Sequence, residues 1–232
     1  MTTALINNFA LLNRKERHHL LEAVTGGPFV LAPGFRKKLV HALRGRLAQT
    51  RLRRLPADIP FIAMDYHLDW VWAALCKTAG DDGIFGAVWV NGKKMITGTQ
   101  EDIDLLIAFP DSRRRHVTHV IFIEAKGDTA WGNRQFERKI KRLADIVALN
   151  KKFKGPRIVP YLVLVSPREP ERLNPKSLVP WMKGSGSSIP VAWTRLDRSG
   201  PKQTYKIKQG RTDRRHKGFH VWELSGAWWQ GD

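Results

Sequence analysis

Two runs with an alternating apolar pattern, 101–109 and 118–126, flank a short loop from Pro110 to Thr118, and this pair constrains the chain more than any other feature. Each run reads as a strand, and so short a connection between strands closes only as an antiparallel hairpin. With the loop centred on residue 114, facing positions have numbers that add to 228, so Asp104 is expected opposite Glu124. Pro110-Asp111 then falls at the loop tip as a turn signal.

Both strands carry ionisable residues where apolar ones would serve stability. Residues two apart share a face of a strand, so Asp102 and Asp104 point one way, and Glu124 and Lys126 point together while Ile123 and Ala125 face the other side. Two carboxylates facing each other are destabilising unless a proton or a cation lies between them. A divalent metal resolves the conflict: Mg²⁺ takes one or two carboxylates, often a backbone carbonyl, and waters. Lys126, on the same face, is then within reach of a metal-bound water or of charge building on a phosphate.

Asp104 followed 20 residues later by Glu124-Ala125-Lys126 resembles the PD-(D/E)XK nuclease superfamily, in particular its small endonucleases and Holliday-junction resolvase relatives. The resemblance spans about 65–166 and implies a mixed α/β fold with a restriction-endonuclease-like αβββαβ core. It further implies a metal-dependent deoxyribonuclease in which Asp104, Glu124 and the Ala125 carbonyl bind Mg²⁺ or Mn²⁺, Lys126 positions or deprotonates water, and Gln135 orients Lys126 or the phosphate. Asp69, followed by Val71 to Leu75 and Gly80, suits the acidic residue that some members carry on the preceding helix and is expected to complete the metal shell. Ile103 stands where many members have Pro.

The rest of the chain is read around that core. A helix is expected over 64–79, strands at 86–91 and 158–166, and a helix over 133–149 with Phe136, Ile140, Leu143 and Val147 buried. Residues 1–60 read as a basic helical extension to a nuclease-like domain at 61–232. In it Asn13 to Glu16 forms a capping box, a helix stops at Gly26-Gly27, and a second helix from Phe35 aligns Leu39, Leu43 and Leu47. Beyond Pro167 two Trp-bearing strands are expected, at 189–195 and 219–224, with a basic patch from Arg211 to Lys217 between them.

Forty Lys and Arg against 21 Asp and Glu leave a formal charge of +19, which argues for a polyanionic partner. DNA is the first expectation, with RNA left open. The cations expected on its backbone are Arg36, Lys37, Lys38, Arg44, Arg46, Arg51, Arg53 and Arg54, then Arg113, Arg114 and Arg115, then Arg138, Lys139 and Arg142. Among nine Trp, Trp131 and Trp228-Trp229 are candidates for base stacking or a homodimer contact. The single cysteine, Cys76, excludes an internal disulfide and any thiolate-cluster metal site. With no apolar stretch long enough to span a bilayer and no signal-like start, a cytoplasmic protein is expected.

Two clusters keep alternatives. His18, His19 and Glu22 read as solvated helix surface, because i, i+1, i+4 spacing splits the histidines between faces. Asp65 and Asp69, one turn apart if helical, either meet the metal or serve as N-cap and surface charge, and His67 is placed near the phosphate. A catalytically silent nucleic-acid-binding module on the same scaffold is the rival function, and a regulator that binds acidic protein surfaces is a third.

Overall fold

The computed structural model describes residues 3–49, 54–80, 94–99, 101–114, 116–127, 131–132, 134–152, 155–184, 190–196, and the strand backbones at 203–209 and 222–230. The chain is a mixed α/β protein. Helices α1 (Ala4–Leu12), α2 (Glu16–Thr25), α3 (Pro33–Ala42) and α4 (Arg44–Gln49) lead into β1 (Phe61–His67), α5 (Leu68–Ala79), β2 (Asp102–Pro110), β3 (Val117–Ala125), α6 (Arg134–Lys152), β4 (Arg157–Ser166) and β5 (Ala192–Arg195). The five strands form one sheet in sequence order, antiparallel from β1 to β3 and parallel from β3 to β5. A further antiparallel pair joins β6 (Gln203–Gln209) to β7 (Trp222–Gln230).

The hairpin has the expected register: pairing runs from Leu105↔Ile123 to Pro110↔Thr118. Asp111 makes the turn, its Oδ1 accepting from the backbone N–H of Arg113 and Arg114 at 2.8 and 2.9 Å, the local side-chain turn that Asp favours.

The order of elements before the hairpin differs from the expectation. The first strand precedes the helix: residues 61–67 pair with β2 from Phe61↔Ala108 to His67↔Asp102, and α5 starts at Leu68, not Met64. Apolar residues at Ile62, Met64 and Leu68 fit either period over so short a stretch, and burial on both faces of the strand decides for β. His67, not Asp65, caps α5, its Nδ1 accepting from Asp69 N–H at 3.1 Å. The expected strand at 86–91 and the Arg211–Lys217 patch lie outside the described residues. Asn13 is no N-cap either: it ends α1, and Lys15 stands at the cap of α2 without a side-chain bond.

Strand alternation divides the core. Leu106, Ala108, Val120, Phe122, Leu162 and Leu164 face one way and pack with α1, α5 and α6 through Leu5, Phe9, Val71, Leu75, Phe136 and Ile140. Ile107, Phe109, Ile121, Ile123, Tyr161 and Val163 face the other way and are covered by Leu39, Leu43 and Leu47 of the α3–α4 segment. Residues before 60 thus cover both sides of the sheet, and the position of Glu124 on β3, in step with Phe122, directs it toward α6.

Candidate active site

Where β2 begins and β3 ends, Asp104, Glu124, Ala125, Lys126 and Gly127 meet Gln135, Phe136 and Lys139 of α6 around a cavity of about 380 Å³. Asp104 Oδ2 accepts the Ala125 N–H at 2.6 Å. Glu124 is buried. Its Oε1 accepts from Lys139 Nζ at 2.5 Å, and its Oε2 is buried with no hydrogen-bond partner among the described residues. A buried, orphaned carboxylate oxygen, on a residue that lines a cavity together with a second carboxylate, is what a hard divalent cation would satisfy.

The titration of these groups reports the same conflict. Burial, and then the nearby Asp104 charge, push Glu124 up to about 7, with Lys139 acting against them. Burial also raises Asp104, opposed by the Ala125 N–H and Lys139 and reinforced by Asp65 and Asp102. Lys126 is lowered, by burial first, with Glu124 opposing and Lys139 adding to the fall. Its ammonium lies 5.4 Å from the ring centre of Trp131 and 5.7 Å from that of Phe136, within cation–π range of both. Trp131 is therefore no exposed stacking platform; it is buried against Phe136 beneath Lys126. Gln135 is exposed at the cavity's edge, one turn before Lys139 on α6.

Asp69 is not part of this group. Its side chain is buried, and Oδ1 accepts from Arg142 Nη2 and from Thr97 N at 3.1 Å while Oδ2 accepts from Gly98 N at 2.9 Å. Arg142 also donates to Met95 O at 2.8 Å and to Glu101 Oε2 at 3.1 Å. The pair thus clamps α5, α6 and the segment before β2, which leaves Asp69 outside the Asp104–Glu124 cavity and commits the buried Arg142 to partners within the fold. Asp65 lies instead in β1, between the pairs Met64↔Leu105 and Tyr66↔Ile103 that bracket Asp104 on β2. Its φ of 49° is a left-handed value that Asp tolerates better than most residues. Its carboxylate lies 3.7 Å from Arg17 Nη1, and Lys15 Nζ holds Asp102 at 2.5 Å, so α2 neutralises both neighbours of Asp104.

His18 is buried rather than solvated, and ring nitrogens of His18 and His19 approach Glu22 Oε2 at 3.4 and 3.6 Å. The three donors lie within 4.8 Å of one another. His18 Nδ1 accepts Met64 N–H at 3.4 Å, so the neutral ring carries its proton on Nε2, the atom a metal would need bare. The trio ties α2 to β1.

The basic residues separate by face and by end. Lys37, Arg44 and Arg54 are exposed, and Lys38 and Arg46 half-buried, but the α3–α4 segment covers the side of the sheet away from Glu124. Arg36 is committed to Pro56 O and Ala57 O. Arg113 and Arg114 sit at the hairpin tip, roughly 20 Å along the strands from Glu124 at ~3.3 Å per residue, and Arg114 is bound to Asp111 through Nε and Nη2. Arg51, Arg53 and Arg115 lie outside the described residues. Arg134, Arg138 and Lys141 are exposed cations on the first half of α6, the helix that walls the site, and Lys151 and Lys152 are exposed at its far end.

No family model, curated protein or solved structure matches the chain. The site therefore rests on its own geometry. Lys139, expected on the nucleic-acid backbone, is instead buried against Glu124. Its spacing from Phe136, Ile140 and Leu143 was the available signal, since i, i+3 and i+4 neighbours share a buried face.

Proposed function

We propose that the protein is a metal-dependent nuclease of the restriction-endonuclease-like kind, acting on DNA phosphodiester bonds with little sequence preference. The observation that carries this reading is that Glu124, whose Oε2 is buried and unpartnered among the described residues, lines the same cavity as Asp104 and Lys126. Asp104, Glu124 and the Ala125 carbonyl would hold Mg²⁺ or Mn²⁺, which when bound supplies Lewis-acid activation of water and neutralisation of phosphate charge. Lys126, lowered by burial and fixed over two aromatic rings, suits a group that orients water and takes or shares its proton. Gln135 stands at the rim, where an amide can hydrogen-bond a non-bridging phosphate oxygen. Arg134, Arg138 and Lys141 extend positive charge along the adjoining helix for the nucleic-acid backbone.

The test is incubation of purified protein with plasmid, linear and branched DNA in Mg²⁺, Mn²⁺ or chelator. Cleavage that requires a divalent ion and disappears in Asp104→Asn, Glu124→Gln and Lys126→Ala supports the reading; cutting by all three variants at the wild-type rate refutes it. The Lys139–Glu124 ion pair favours one rival, a nucleic-acid-binding scaffold whose carboxylates are neutralised internally. That rival binds DNA but neither cuts it nor takes up metal.

A further inference from the structure

We propose that Lys139 holds the charge of Glu124 in the metal-free protein in competition with a divalent cation, and so sets the metal concentration at which the site loads. This rests on the metal-site reading above and adds its regulation. Lys139 is 6% exposed, and its ammonium meets Glu124 Oε1 at 2.5 Å with both side chains 8% exposed. Solvent-facing positions on α6 already carry Arg134, Arg138 and Lys141, so placement of a lysine on the inner face beside Phe136 and Ile140 needs a separate cause. Stability is a poor one, because a buried ion pair is often matched or bettered by apolar residues of similar volume. What the lysine supplies is one positive charge where two carboxylates crowd.

That single charge is an incomplete substitute. Among the described residues it satisfies one oxygen of Glu124 and leaves Oε2 bare, whereas Asp104 accepts the Ala125 N–H on its Oδ2. A divalent ion held by Glu124 and Asp104 would bring twice the charge beside the ammonium and repel it from Oε1. The displaced Lys139 remains on the wall it shares with Lys126 and Gln135, its charge turned toward an incoming phosphate. The arrangement shields the acidic pair without metal and gives the loaded site an extra cation.

Direct Mn²⁺ binding to the full chain without nucleic acid, followed by the electron paramagnetic resonance of free Mn²⁺, tests this independently of cleavage. Lys139→Met should bind Mn²⁺ at least about tenfold more tightly than wild type, equivalent to about 1.4 kcal/mol. Lys139→Arg, which keeps the charge, should stay within about threefold. Equal or weaker binding by Lys139→Met, with Asp104→Asn still defective, overturns the inference and leaves the metal site standing. Mn²⁺ binding by Asp104→Asn and Glu124→Gln at wild-type strength overturns the metal site as well. If circular dichroism shows Lys139→Met unfolded, Lys139→Gln, which retains a donor toward Glu124, is judged by the same criterion.

Discussion

Asp69→Asn separates an ion clamp from a metal ligand, and its cost can be worked from the contacts. The carboxylate accepts from Thr97 N, Gly98 N and Arg142 Nη2. An Asn keeps one acceptor oxygen and turns an NH₂ toward the other donors, so about one backbone hydrogen bond is lost, worth ~1 kcal/mol. Removing one partner of a buried ion pair costs ~3–5 kcal/mol, and Glu101, still 3.1 Å from Arg142, holds this to the lower end. Together these amount to about 4 kcal/mol, read as a reduced denaturation midpoint in guanidinium and a fall in Tm of roughly 8–16 °C at ~2–4 °C per kcal/mol. Arg142→Met should cost a similar amount, and the double variant less than the two together, because it buries no lone charge. The acid limb carries a second signature. Burial opposes ionisation of Asp69, but the Thr97 and Gly98 N–H groups and Arg142 outweigh it and hold the carboxyl below its ordinary value. Its contribution is therefore present above the unfolded carboxylate range and lost as pH falls through the lower folded value, so wild type should destabilise more steeply in acid than Asp69→Asn. A variant within about 0.5 kcal/mol of wild type that loses Mn²⁺ binding refutes the clamp and restores Asp69 to the metal.

With Glu124 raised from 4.5 to about 7, the folded state holds a proton that the unfolded chain releases, so metal-free stability should fall between about pH 4.5 and 7 by roughly 3 kcal/mol at most. Glu124→Gln in chelator should flatten that decline, as measured by guanidinium melts across pH. Mn²⁺ affinity in wild type should weaken as pH drops below about 7, since the ligand must be deprotonated, and calorimetry in buffers of different ionisation enthalpy should show protons released on binding. At the other end of the hairpin, Asp111→Asn should cost about 2–3 kcal/mol in urea melts, because the carboxylate serves Arg114 and the buried His119; its distance from Glu124 predicts unchanged Mn²⁺ binding. Replacing Arg134, Arg138 and Lys141 by Gln should lower the salt slope of DNA binding by up to about 2.7, at ~0.9 per phosphate, while Lys37→Gln with Arg44→Gln should leave it unchanged in the same fluorescence titration.

Local geometry was legible wherever a short loop or a strong period controlled it. The Pro110–Thr118 connection determined which residues face each other on β2 and β3, and with them the meeting of Asp104 and Glu124. The stripe of Phe136, Ile140 and Leu143 identified α6 as an inward-facing helix. Partner choice among buried charges was not legible: Lys139 and Arg142 were expected on the nucleic-acid backbone, and instead one meets Glu124 and the other Asp69. Nor did composition separate the two sides of the sheet: the arginines of 36–54 add to the net charge in the same way whether they adjoin the site or lie behind it. The start of α5 was misread because Asp65 interrupts the alternation of β1 with a left-handed residue, and a broken period of two can pass for one of 3.6.

Ala125 closes β3, a strand hydrogen-bonded on both sides and buried along its length up to that residue. Amides in such a strand exchange with solvent deuterium only when the whole domain opens. The Ala125 N–H is different in kind, because it is held by the carboxylate of Asp104 at 2.6 Å. One backbone proton therefore reads the state of the acidic pair: protonation of Asp104 should loosen it and speed its exchange, while its β3 neighbours stay protected. In a ¹⁵N spectrum that resonance is an internal gauge of site occupancy, needing no substrate or turnover.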